Sequence, residues 1–381
     1  MTSFGIICEF NPLHNGHKRL IDQARARGAD CVICVMSGNA VQRGELAVAD
    51  KYTRGKAAIL CGADIVLELP YPWCSASAEF FAGAGVEILS HFCHNIIFGS
   101  ESGDIELLQK AAHAAGSDSF KEEYKRRIDN GEGAAAVYFS MLKEIGGTEL
   151  SSNDLLGVEY IRAAIERGLD LKFHTVSREG AAYLEEELGD EIYPSATAIR
   201  KAWKEGKGAD NYMPSEAIEV FDKADITDIS LLSRALLMYF RLADAEKLND
   251  IAEADGGIVN RIISAAKNAT NEKEFFEAIR TKRYTDSKLR RAMLFCLTGV
   301  TKDILNSSPS YTVLLGASAK GRELLSTVRK SGSINVVTKP ADAPKDPAQF
   351  EAGEKLEAIF TLASNQASAL GDIYRKGAFI K

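Results

Sequence analysis

No apolar run in the chain approaches the ~18–20 residues needed to cross a bilayer. No basic segment precedes an apolar stretch at the start, where Phe4-Gly5-Ile6-Ile7-Cys8 is already strand-like. No signal peptide is therefore expected. Cysteine is sparse, odd in number and irregularly spaced: seven residues, mostly inside apolar runs. That excludes a disulfide framework and points to a reduced, cytoplasmic compartment. Cys31-Val-Ile-Cys34 has redox spacing but sits in the strand-like run CVICVM, where its two side chains would face opposite ways. Positive charge is not in excess: 46 Lys and Arg stand against 53 Asp and Glu, for a net charge of −7. Blanket nucleic-acid binding is thereby excluded, and any such surface must be a local patch. There is no internal repeat and no low-complexity linker. What remains, 46% hydrophobic and 26% charged over 381 residues, is ordinary globular material for two or three units.

The first hundred residues alternate strand and helix. Apolar runs at 4–8, 31–36, 64–70 and 95–98 are separated by helical periods at 18–27, 50–61 and 76–92. A charged helical stretch at 104–147 follows, then a helix near Asn153 and a strand at 171–176. This order predicts an α/β class, Rossmann-like parallel sheet over 1–210. Residues 211–381 read as mainly helical, with a small β/α/β-like unit at 310–340.

Within that frame, Phe10-Asn-Pro-Leu-His-Asn-Gly-His17 lies where the first strand turns into the first helix. His14 and His17 there sit at the carboxyl end of a sheet, beside free helix N–H groups, which suits a phosphate. Imidazoles at such a place stabilise charge that builds on phosphate oxygens. A surface-loop pair or two metal ligands are the plain alternatives. The scarcity of histidine, six in all, argues against metal, since the other four have no Cys or Asp set beside them. A second element, Ser195-Ala-Thr-Ala-Ile-Arg200, offers hydroxyls, backbone N–H groups and a guanidinium at a helix start. It reads equally as an N-capped helix. The loop after the second strand, Ser37-Gly38-Asn-Ala-Val-Gln42-Arg43-Gly-Glu45, is rich in backbone donors and suits a small anionic acceptor, or is a surface turn. Gly99 in Phe-Gly-Ser-Glu permits close approach to an adenosine.

Taken in order, GIICEFNPLHNGH, MSGNAVQRGE, GADIVLELP, FGSE and SATAIR resemble the bacterial tRNA(Met) cytidine acetate ligase family, within the HxGH nucleotidyltransferase superfamily. The match is close over the first 200 residues and weaker to KRYTDSKLRR. No KMSKS stretch is present, which sets the chain apart from aminoacyl-tRNA synthetases. The resemblance implies use of ATP and acetate to form acetyl-adenylate and pyrophosphate. The acetyl group then passes to N4 of the wobble cytidine of elongator tRNA(Met). It implies nucleotide contacts from Ile7, Cys8, Glu9, Phe10, Asn11, Pro12, Leu13, His14, Asn15, Gly16, His17, Lys18, Arg19 and Leu20, with Gly99, Asn153 and Arg178. Ser195, Thr197 and Arg200 are expected at the β and γ phosphates. His14, His17 and Lys18 are expected to carry the chemistry, and Ser37, Gly38, Gln42 and Arg43 to line the acetate pocket. Magnesium is expected with ATP, with no protein-held metal site.

Arg280–Arg291 carries six Lys or Arg against one Asp, a local reversal in an acidic chain. Lys282, Arg283, Lys288, Arg290 and Arg291 near Tyr284 would suit RNA phosphates and a stacked base. A solvated helix face is the plain alternative. Two rival functions remain at this point. One is a compact adenylyltransferase of the pantetheine-phosphate or nicotinamide-mononucleotide type, which the length and the helical second half disfavour. The other is a non-catalytic nucleotide or RNA binder, which the intact histidines and Arg200 disfavour.

Overall fold

The computed structural model describes all residues except 148–149, 178–192, 256, 340–341, 343–346 and 374. Among the described residues, eight strands form one sheet: β1 (Ser3–Cys8), β2 (Cys31–Ser37), β3 (Ile65–Leu69), β4 (Asn95–Ser100), β5 (Lys172–Ser177), β6 (Tyr311–Ala317), β7 (Asn335–Val337) and β8 (Phe379–Ile380). Their order is β5-β4-β1-β2-β3-β6-β7, with β8 beside β6. The first five are parallel, as the alternation of elements requires. The helices among them are α1 (Asn15–Ala26), α2 (Lys51–Leu60), α3 (Ala78–Ser90), α4 (Ile105–Ala115), α5 (Asp118–Asp129), α6 (Ala134–Gly146), α7 (Ser152–Glu166) and α8 (Ala196–Lys204). The second half adds α9 (Ser215–Phe221), α10 (Ser233–Leu242), α11 (Ile258–Asn268), α12 (Glu272–Ile279), α13 (Asp286–Thr298), α14 (Lys302–Asn306), α15 (Ala319–Ser331), α16 (Pro347–Ala363) and α17 (Leu370–Ile373).

Both faces of the sheet are covered, which is why its strands are nearly continuous apolar runs. Along β2, Cys31, Ile33 and Val35 enter one core, and Val32, Cys34 and Met36 enter the other. The CxxC cysteines thus lie on opposite faces, as strand periodicity dictates. Parallel strands bring their carboxyl ends to one edge. In the β4–β5 ladder, Gly99 lies opposite Val176 and Ser100 opposite Ser177.

The strands expected at 310–340 form, but not as an appendage. β6 pairs antiparallel with β3 and extends the main sheet, and β7 continues it. The parallel sheet expected over 1–210 is present as β1 to β5, and the antiparallel edge is added to it by the later strand β6. The 17-residue α16 falls in the stretch read as mainly helical, though no pattern singled it out. Its Ala352, Leu356 and Phe360 are buried at a four-residue spacing. Glu357 reaches a polar cluster at the β2 end, where it accepts Asn39 Nδ2 at 2.6 Å and takes Lys51 Nζ at 2.8 Å. Lys51 also pairs with Glu68 at 2.9 Å. The last long helix is thereby tied to the first α/β units.

Candidate active site

α1 begins at Asn15, three residues before the periodicity suggests, because His14 caps it. The Gly16 N–H donates to His14 Nδ1 at 3.1 Å, and the His14 N–H donates to His17 Nδ1 at 3.3 Å. This reciprocal box satisfies two of the helix's otherwise orphaned donors. The two rings lie 3.8 Å apart, centroid to centroid. With both Nδ1 atoms acting as acceptors, each neutral ring carries its proton on Nε2 and offers that N–H as its donor. Phe10, fully buried, packs edge-on to His17 at 5.0 Å. Its φ of +44° is unusual for a bulky residue and marks a backbone held by its surroundings.

His14 and His17 line a cavity of about 190 Å³ at the carboxyl edge of the sheet. Ile7, Cys8, Glu9, Asn11, Gly16, Arg19, Leu20, Gln42, Arg43, Gly99, Asn153, Thr197 and Arg200 line it too. Elements far apart in sequence supply these side chains, and short bonds fix them. Arg200 Nη1 donates to the Asn11 carbonyl at 2.7 Å. Asn153 Nδ2 donates to Glu101 at 2.6 Å. The Gln42 N–H donates to Glu9 Oε1 at 2.9 Å, and Gln42 Nε2 to the Ala76 carbonyl at 3.1 Å. Burial pushes the Glu9 carboxyl up, against the pull of that N–H and of the Arg200 and Arg43 charges. Below Asn153, burial also acts on Asp154. There the Ser100 and Ser151 hydroxyls and the Ser102 donors outweigh it and hold the carboxyl below its usual range. That network fixes the start of α7.

Other expected residues stand elsewhere. Lys18 is turned along α1 into an ion pair with Asp22 and does not line the cavity. Asn15 Nδ2 donates to the Asn211 carbonyl at 3.1 Å. Phe10, Pro12 and Leu13 are buried behind the turn. Ser37 is fully buried, and the Gly38 carbonyl accepts the buried Arg54, so neither reaches the cavity. Ser195 is the N-cap of α8, accepting the Ala198 N–H at 3.1 Å, while Thr197 and Arg200 face the cavity. Arg178 lies outside the described residues.

The basic run divides. Lys282 and Arg283 are exposed, and Arg283 and Lys288 sit 5.4 and 5.6 Å from the Tyr284 ring. Arg290 pairs with Glu45 at 2.8 Å. Arg291 is buried and pairs with Glu253 at 2.7 Å, which removes it from any RNA-facing surface. Sequence reasoning missed Phe81, Phe98, Leu156, Tyr160 and Tyr193 on the cavity wall. Asn153, Leu156 and Tyr160 recur at helical spacing on one face of α7, a signal that pointed to them. Among the described residues, no group of three His, Cys, Asp or Glu side chains is set to hold a metal ion. No helix there is long and apolar enough to cross a membrane.

A histidine box at a strand-to-helix turn, facing a cavity with an arginine from a second helix start, defines a nucleotidyltransferase of the HxGH class. The family described as HIGH nucleotidyl transferase matches residues 1–372. A tRNA(Met) cytidine acetate ligase from Clostridium perfringens is 35% identical over 373 residues, covering 91% of this chain and 92% of its own. One from Caldanaerobacter subterraneus subsp. tengcongensis is 33% identical over 95% of this chain and 96% of its own. The crystal structure of Thermotoga maritima TmcAL in its apo form superposes with a TM-score of 0.91 at 30% identity, over all of both chains. Its form bound with alpha-thio ATP gives 0.88 at 29% identity, over 100% of this chain and 99% of that one. The chain belongs to the tRNA(Met) cytidine acetate ligase family of HIGH nucleotidyl transferases.

Proposed function

We propose that this protein activates acetate with ATP and passes the acetyl group to N4 of the wobble cytidine of elongator tRNA(Met). The observation that carries the reading is the pair of Nδ1-locked histidines on one cavity wall with Arg200, in a chain of which 91% aligns with a named acetate ligase. Acetate oxygen attacks the α-phosphorus as pyrophosphate leaves in line. His14 and His17 donate from Nε2 to the phosphate oxygens, and Arg200 and the first N–H groups of α1 add positive potential. Their positions are fixed before substrate arrives, so little reorganisation is required during the step. Gly99 and Asn153 lie against the nucleoside. Gln42 and Arg43 meet the acetate, and ATP enters as its magnesium complex. The amine then attacks the acyl carbon and AMP departs. Exclusion of water matters here, because acetyl-adenylate hydrolyses. Residues after 210 form the tRNA-binding region, with Lys282, Arg283 and Lys288 around Tyr284 meeting phosphates. The work belongs to the cytoplasm.

The test is purified protein with ATP and labelled acetate, with and without total tRNA. Label is expected in tRNA as acetylated cytidine, and absent in a His14→Ala, His17→Ala variant. Pyrophosphate release that needs a phosphorylated small molecule, with no label in tRNA, would overturn the reading.

A further inference from the structure

A second cavity, of about 1260 Å³, adjoins the nucleotide cavity and shares Glu45, Thr197 and Arg200 with it as a common wall. It exceeds the ~300–1,000 Å³ of most small-molecule sites and is far larger than acetate needs. Half-buried Phe276 of α12 forms part of its wall, with the Arg290 and Arg280 guanidinium groups 4.7 and 5.5 Å from the ring centroid. At the neck between the cavities, the Glu45 carboxylate takes Arg290 at 2.8 Å on one side and Arg200 at 3.7 Å on the other. The neck is tightly made. Gly44 has φ +77°, and a Cβ there would come within 2.5 Å of the Arg291 backbone nitrogen, so the loop backbone is pressed onto α13. The charged lining is mixed, with Glu272, Glu277 and Asp228 on the same walls as Lys201, Lys204 and Arg280. A polyanionic backbone is poorly served by such a lining. A neutral planar group with polar edges is well served, since bases stack on aromatic rings and on guanidinium planes.

We propose that this larger cavity seats the acceptor nucleoside of the RNA, its base stacked at Phe276 and Arg290 and its exocyclic amine directed to the neck at Glu45 and Arg200. The proposal rests on the tRNA-ligase reading above. At the neck the amine nitrogen bonds to the acyl carbon and the acyl–phosphate C–O bond breaks. AMP leaves with the electron pair, and one amine proton passes to solvent through the open cavity. Phe276 acts by holding the base, so it governs transfer more than activation.

The experiment compares Phe276→Leu, which keeps apolar volume but loses the aromatic face, with Phe276→Tyr, which keeps the face. Two rates are measured on each purified full-length chain: acetate-dependent ATP–pyrophosphate exchange without RNA, and acetyl transfer to tRNA(Met) at saturating ATP and acetate. The ratio of transfer kcat/KM to exchange rate should fall roughly 5- to 150-fold in Phe276→Leu, the range for loss of one base–aromatic stack, and recover in Phe276→Tyr. An unchanged ratio in Phe276→Leu overturns the proposal while leaving the ligase reading intact. So does an equal fall in both rates that Phe276→Tyr does not reverse. A wild-type protein that exchanges pyrophosphate but never acetylates tRNA sinks the ligase reading, and the proposal with it.

Discussion

At the β1–α1 turn the side chains that matter are held by their own backbone; at the α12–α13 corner they are held by carboxylates from distant parts of the chain. His14 and His17 bond to N–H groups within three residues. Arg291 is pinned by Glu253, 38 residues away, and Arg290 by Glu45 on the loop after β2. A side chain fixed locally can give its other face to a substrate, and its removal leaves the fold standing. A cation fixed by a remote and nearly buried carboxylate, as Arg291 is by Glu253, is part of the fold. Function and stability should therefore separate in opposite directions in the two regions.

The largest effect expected is on stability, at Arg291. Its side chain is 8% exposed and Glu253 10%, and Glu253 also accepts the Ser77 N–H at 2.9 Å, joining the start of α3 to α13. Arg291→Ala leaves a buried carboxylate without its cation and should cost about 3–5 kcal/mol in denaturant unfolding. Added Glu253→Gln should recover part of that, because the uncompensated charge is gone. A loss below about 1 kcal/mol would place Arg291 with ordinary surface residues and erase the contrast.

Next in size is the catalytic effect of His17→Ala. Loss of one preorganised donor to a transition-state oxyanion lowers kcat about 10²–10³-fold. Acetate-dependent pyrophosphate exchange should fall by that factor, with little change in thermal midpoint. A large drop in stability with a small drop in rate would show that the box is only a helix cap.

This contrast also explains what could be read from the residues alone. The parallel α/β order, the strand-to-helix turn and the pairing of His14 with His17 follow from short-range pattern, where backbone and side chain are neighbours in sequence. Gly99 and Arg200 were also suggested by their own local pattern and Asn153 by the resemblance, and the three meet at the cavity because parallel strands share a carboxyl edge. Lys18 stands away from the cavity because its i,i+4 partner Asp22 holds it along α1. Ser37 and Gly38 lie behind the cavity because distant parts of the chain pack against that loop, with Arg54 on the Gly38 carbonyl and the Lys51–Glu68–Glu357 cluster close by. Glu357 lies over 300 residues from Asn39, and no local pattern announces such a partner. The same holds for Arg291, whose fate was decided by Glu253.

A sharper cut through the first region is made at His14, where capping and chemistry fall on one ring. His14→Ala should cost about 1 kcal/mol of stability, the usual value of an N-cap. Asparagine is a good N-cap whose side-chain oxygen can accept the N–H that His14 Nδ1 now takes. His14→Asn should therefore recover most of that stability in chemical denaturation while exchange activity stays low. Recovery of both would assign His14 to the cap alone.

The smallest effect on the fold, and the most diagnostic for RNA, belongs to the exposed members of the basic run. Arg283 is exposed and Lys288 half-buried, both set against Tyr284, whereas Arg280 is committed to Asp286 at 2.6 Å. Arg283→Ala and Lys288→Ala should each change stability by less than about 0.5 kcal/mol, as surface substitutions do. If these two cations meet RNA phosphates, binding of tRNA releases counterions from them, and the slope of log affinity against log salt should fall by about 0.7–0.9 per residue removed. Titrations at several salt concentrations measure that slope directly. Arg291→Met offers the counter-experiment. Its cation is neutralised by Glu253 inside the protein, so in any folded fraction the salt slope should not move. A slope that falls for Arg291 and not for Arg283 would reverse the division between the paired and the exposed halves of this run.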